Sequence, residues 1–253
     1  MKNIIVYGLV FLSTSLLSSC GKNEVDIKAS PSLVGEPECG EDCDEADLNA
    51  PADPNEIVPD ERLDDVAGEP EQEPEDGHRY RMPTYRKVWG IAPHIYKKTA
   101  NYYEANYDNI RNKRFVSILD FSQHSSKKRW YLFDLKNRTM ERYLTSHGKY
   151  SDRNGDGYAD SFSNVPGTAK SSLGVYITAM TYRGKNGLSL RIKGKEASNS
   201  NAYRRAIVIH PARYINHKTG RVGKSWGCPA LDPLYSASVI HRIKNGSLFV
   251  IEK

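Results

Sequence analysis

Long apolar stretches are nearly absent from this chain. The one run of note, Ile4 to Leu17, is shorter than the roughly 20 residues a membrane-spanning helix needs. The mature chain is therefore expected to be anchored to a membrane rather than embedded in one. Aromatic residues are missing from Gly21 to Gly77, where 20 acidic residues meet three basic ones, a net of −17, and seven prolines recur. A segment of that composition cannot offset its ordering entropy by burial, and its like charges repel. Residues 21–77 read as a disordered, acidic, Pro-rich tether. Cysteine is scarce too, with four in the chain, too few for a disulfide-dense scaffold.

What is present divides sharply. Residues 1–20 combine Lys2, the apolar run and Leu17-Ser18-Ser19-Cys20, the layout of a secretory signal peptide. Its small-small-Cys ending resembles the lipobox of bacterial lipoproteins, which makes Cys20 the expected lipid anchor. Cys39 and Cys43 lie four apart in the tether and could close a small disulfide loop in an oxidising compartment. Neither feature accounts for Cys228. Residues 78–253 carry 32 Lys and Arg against 11 Asp and Glu, a net of +21. They also carry every aromatic residue outside the signal. This is one basic domain with ample material for a core. Basic domains often meet nucleic acid, but an exported, lipid-anchored chain has little access to it. Anionic surfaces of the cell envelope are the expected counterparts, with the domain facing the periplasm from the outer membrane.

The aromatic and apolar residues Tyr96, Ala100, Tyr103, Tyr107 and Ile110 recur at helical spacing and predict a helix with one core-facing stripe. Strands are expected at 115–121, 129–135, 139–144, 172–182, 188–193, 202–210 and 247–252. A second helix should start at Asp232 as cap and Pro233, and end by Gly246. The fold class is mainly β with a few helices, closed as a sandwich or a barrel-like sheet.

Cys228 sits in GKSWGCPAL. A cysteine attacks as thiolate, so its proton must be taken by a neighbour. His210 is the best-placed base, since it ends the strand RRAIVIH and a loop then returns the chain to the thiol. Gly227 allows close approach of backbone amides to a reacting carbonyl, which makes it a candidate oxyanion donor with Cys228 or Trp226. A buried, inert cysteine is the competing reading, and the Gly and Pro flanks in an exported chain favour catalysis.

The run IVIHPARYINHKTGRVGKSWGCPAL resembles the L,D-transpeptidase catalytic domain family of bacterial cell-wall enzymes, in the branch whose cysteine precedes Pro-Ala. The resemblance extends upstream through SFSNVPGTAKSSLGVYIT and covers roughly 85–253. It implies an L,D-transpeptidase-like β-sandwich or barrel-like fold, Cys228 as nucleophile and His210 as general base, with no cofactor required. The implied substrates are peptidoglycan stem peptides: the terminal D-alanine leaves, a thioester forms, and an amine acceptor gives a 3–3 cross-link. Exchange of the terminal D-amino acid would follow from another amine, and carboxypeptidase activity from water. The rival outside the enzyme class is a non-catalytic peptidoglycan-binding lipoprotein. The resemblance places Ser225 and Trp226 on the substrate side, and His147 near the site, either facing substrate, supporting the site from behind, or serving as a structural histidine. The chain departs from the family pattern at Pro211 and Trp226, and has no arginine after the cysteine. Arg221, Lys224 or Arg213 would then have to bind substrate carboxylates.

One further motif stands apart. In SDRNGDGYADSFS, Asp152, Asn154, Asp156, the Tyr158 carbonyl and Asp160 fall at alternate positions of a calcium loop, with Gly157 at its turn. The closing bidentate Glu is replaced by Ser163. A structural calcium or a polar Asx-turn loop fits this pattern.

Overall fold

A computed structural model describes residues 79–253. The expectations for the signal peptide, Cys20, the tether and the Cys39–Cys43 pair lie outside the described residues.

The domain is mainly β, as its composition predicted. Seven strands form one mixed sheet in the order β3-β2-β1-β9-β4-β5-β6, and β7 and β8 pair as a separate ribbon. The strands are β1 Asn112–Asp120, β2 Trp130–Asp134, β3 Thr139–Tyr143, β4 Gly174–Gly184, β5 Gly187–Gly194, β6 Val208–Ile209, β7 Ile215–Asn216, β8 Arg221–Val222 and β9 Ser247–Glu252. Central β1 pairs antiparallel with β2 and parallel with β9.

Two helices, α1 Pro93–Ala105 and α2 Pro233–Ile243, cover opposite faces. The period-2 geometry of the strands explains how. Val116, Ile118, Leu248 and Val250 point to the α1 side, packing with Ile95, Tyr96 and Tyr103. Phe115, Leu119, Phe249 and Ile251 point the other way, packing with Val239, Ile240 and Ile243 of α2. A sheet buried on both faces has near-continuous apolar strands, which is how SILDF and SLFVIE read. Cys228 belongs to the α2-side core.

Helix α2 starts as predicted: the Asp232 carboxylate accepts from the Leu234 amide at 2.8 Å, and Pro233 occupies the first turn. Helix α1 ends earlier than its stripe suggested. The Asn106 side chain donates to the Tyr102 carbonyl at 2.9 Å, and Tyr107–Asn109 continue only as a 3-10 turn. The predicted strand 202–210 shrinks to β6. Residues before it are wound into turns, with Ala202 donating to the Asn199 carbonyl and Arg205 to Asn201. Ala206 then takes a left-handed φ of 52° that no strand accommodates.

Candidate active site

The histidine and the cysteine reach the same sheet edge because the backbone stitches their segments together. Leu231 donates to the His210 carbonyl at 2.9 Å, and Ala212 donates to the Leu231 carbonyl at 2.8 Å. This parallel bridge is centred on Pro211 and Leu231. It uses the carbonyl before the proline and the amide after it, so the missing proline N–H costs nothing. Three residues before Leu231, the Cys228 sulfur accepts from the Val208 amide at 3.5 Å and lies 3.7 Å from the Ala206 carbonyl. The thiol is thus held against β6, two residues from His210. It is 8% exposed.

His210 is itself oriented. Its Nδ1 lies 2.9 Å from the Pro211 carbonyl. A carbonyl can only accept, so Nδ1 carries the proton and Nε2 keeps its lone pair. That is the tautomer a general base needs.

Gly227 departs from its expected role. Its amide, anticipated as an oxyanion donor, donates to Ser225 Oγ at 3.1 Å. The glycine is required for a different reason: φ is +120°, and a Cβ here would come within 2.7 Å of the Lys170 carbonyl. Ser225 also differs from expectation. It is buried, its Oγ donates to the Cys228 carbonyl at 2.7 Å, and its amide donates to the His147 carbonyl at 2.9 Å. It braces the cysteine turn from inside rather than meeting substrate. Trp226 is 37% exposed.

His147 takes the structural alternative. At 1% exposure its ring is out of reach of substrate. The Arg129 Nη2 donates to its Nδ1 at 3.0 Å, so the neutral ring carries its proton on Nε2, which faces Asp152 Oδ2 at 3.6 Å. Burial, and then the neighbouring Arg129 charge, hold its pKa down to about 3. The residue is a neutral strut whose carbonyl carries Ser225.

Its partner Arg129 is fully buried, donating to the Gln123 and Thr145 carbonyls at 3.0 and 3.1 Å and lying over the Phe121 ring. Burial pulls its guanidinium below the usual arginine range. Nothing in SKKRWYLFD distinguishes this arginine from its exposed lysine neighbours, so its role was not legible.

The loop from Asp152 closes on itself. The two Asp152 oxygens accept from the Gly155 and Gly157 amides at 2.8 and 3.0 Å, and Lys224 Nζ lies 3.1 Å from Oδ2. These donors hold the carboxyl below its ordinary range, although burial opposes them. Asp156 accepts from the Tyr158 amide at 2.8 Å and from Asn154 Nδ2 at 2.9 Å. Among the described residues no three His, Cys, Asp or Glu side chains form a group that could hold a metal ion. Asp152, Asn154 and Asp156 thus make the hydrogen bonds of an Asx-turn loop, one of the two arrangements the pattern fits. Lys224 is engaged by Asp152, Arg213 is exposed, and Arg221 opens β8. The expectation for the Arg221 side chain falls outside what the structure describes.

Fold and site together define a mainly β domain with a thiol and a tautomer-fixed imidazole brought to one sheet edge. The model of the L,D-transpeptidase catalytic domain matches residues 88–251, and the chain belongs to that family. Solved structures resemble it more distantly. The LD transpeptidase LdtMt1 in complex with imipenem is 14% identical, with a TM-score of 0.35 over 55% of this chain and 59% of that one. The Mycobacterium tuberculosis L,D-transpeptidase 1 is 12% identical, with a TM-score of 0.32 over 55% and 62%. A crystal structure of an L,D-transpeptidase from Mycobacterium tuberculosis H37Rv is 14% identical, with a TM-score of 0.30 over 55% and 58%. The chain spans about six tenths of the length of these structures. No curated protein matches it.

Proposed function

We propose that the domain is a cysteine acyltransferase acting on peptidoglycan stem peptides, with Cys228 as nucleophile and His210 as base. The observation that carries this reading is the sulfur seated on β6 two residues from an imidazole whose Nδ1 is committed to a carbonyl. Nε2 takes the thiol proton, and the sulfur adds to the carbonyl of the third stem residue. The tetrahedral adduct collapses with cleavage of the C–N bond, and the departing terminal D-alanine takes the proton on its amine. The thioester that remains is reactive enough for an amine acceptor, whose attack restores the thiol. With the Gly227 amide engaged by Ser225, the developing oxyanion falls to the amides of Cys228 and Trp226.

Product analysis tests the reaction. Purified tetrapeptide muropeptides incubated with the full chain should yield 3–3 cross-linked dimers and free D-alanine. Tripeptide monomers alone would make the protein an L,D-carboxypeptidase. Unchanged substrate would leave only wall binding.

The same reading places the domain on a lipid anchor at Cys20, with residues 21–77 as the tether to the wall and the cell envelope, facing the periplasm, as its location. It rests on the signal-like segment and the charge contrast between tether and domain. Cys20→Ala should move the protein from the membrane fraction to the soluble fraction of the producing bacterium. Retention of the variant with membranes would refute the anchor.

A further inference from the structure

The chemistry described above leaves a partly buried cation near the thiol, Arg205, without a role. Arg205 immediately precedes Ala206, whose carbonyl faces the Cys228 sulfur. Its Nη1 donates to the Ser163 carbonyl and its Nη2 to the Lys170 carbonyl, both at 2.5 Å. The Lys170 carbonyl is the same group against which Gly227 packs so closely that no Cβ fits. One guanidinium therefore spans both ends of the 163–170 loop and locks that loop onto the cysteine turn.

The backbone on either side is strained. Ala169, next to one anchor point, has φ 47°, and Ala206, next to the arginine, has φ 52°. Non-glycine residues hold such angles only where their surroundings over-determine them. Electrostatics run the same way. Burial lowers the guanidinium's pKa, while ionised Tyr176 and Cys228 would each help it keep its proton. That attraction is mutual, so the cation favours the thiolate.

We propose that Arg205 is a positioning residue for the thiol chemistry, fastening the 163–170 loop to the Gly227 turn and setting a fixed positive charge near Cys228. The inference rests on Cys228 being the nucleophile. The test is therefore one that reads the thiol itself. Full-length wild type, Arg205→Gln and Arg205→Lys are alkylated with iodoacetamide across pH 5 to 10. Peptide mass spectrometry follows Cys228 alone, and thermal unfolding is recorded alongside.

Arg205→Gln should raise the midpoint for Cys228 alkylation by about one pH unit, slowing the reaction roughly tenfold below the midpoint. Arg205→Lys keeps the charge and loses the forked grip on two carbonyls, so it should hold the wild-type midpoint and unfold at lower temperature. A folded Gln variant with the wild-type midpoint overturns the proposal, as do Lys and Gln variants displaced equally. Where the Gln variant does not fold, the Lys variant decides alone: a midpoint displaced by a full unit overturns it. A wild-type midpoint near the ordinary thiol value of about 8.5 would instead remove the activated nucleophile itself.

Discussion

Cys228→Ala is expected to form no covalent adduct with a carbapenem, where the wild type gains the mass of one opened lactam. The thiolate would add to the strained carbonyl and break the ring C–N bond, leaving a thioester that mass spectrometry reads directly. Turnover of tetrapeptide muropeptides should fall by roughly 10⁴-fold or more, the scale of deleting a nucleophile. The fold should survive, because the change removes a single atom from a side chain already at the edge of the core. Cys228→Ser separates nucleophilicity from packing: it restores the volume but leaves a hydroxyl that His210 cannot deprotonate to a useful extent. An adduct that persists on Cys228→Ala would place the chemistry on another residue, and the reading of the sheet-edge pair would be lost.

That the His210 and Cys228 segments would meet at one sheet edge was legible because each signal is local. A strand ending in histidine and a glycine-proline turn around a thiol each carry their meaning in a few residues. The sheet was legible for the same reason: apolar runs at β1, β2, β4 and β9 define strands wherever they pack. What was not legible was which way side chains and backbone turn once they are packed. Nothing near His147 announces that Arg129 will cap its ring and remove it from the substrate side. The alternate acidic positions from Asp152 fit a calcium loop as a pattern. Whether those carboxylates point outward to a shared ion or inward to Gly155, Gly157 and Lys224 is decided by the fold. Ser225 illustrates the point most directly. The family resemblance put it on the substrate side, yet burial turns its hydroxyl to the Cys228 carbonyl and makes it part of the frame. The 202–210 strand was overread because RRAIVIH looks uniform, although the left-handed Ala206 divides it.

The His147 strut also makes the domain acid-sensitive. Unfolded, its imidazole titrates near the ordinary value of 6.5; folded, burial and the Arg129 charge keep it neutral down to about 3. Between those limits the unfolded chain binds a proton that the folded chain refuses, so stability falls as pH falls through that window. The full displacement corresponds to about 5 kcal/mol, a large fraction of a domain's net stability. Asp152 adds to this from below. Its depressed carboxyl contributes stability above 3.8 that is lost as pH drops through the lower, folded value. His147→Gln should flatten the dependence, since an amide can accept from Arg129 and donate toward Asp152 without titrating. Denaturant unfolding at intervals from pH 4 to 7.5 would measure it, with the wild type losing stability steeply toward acid and the variant losing much less. Some slope should remain, because burial also lowers the pKa of His217 despite its Asp232 partner. Equal slopes in the two proteins would mean that the ring is not the buried neutral strut on which Ser225, and through it the cysteine turn, is hung.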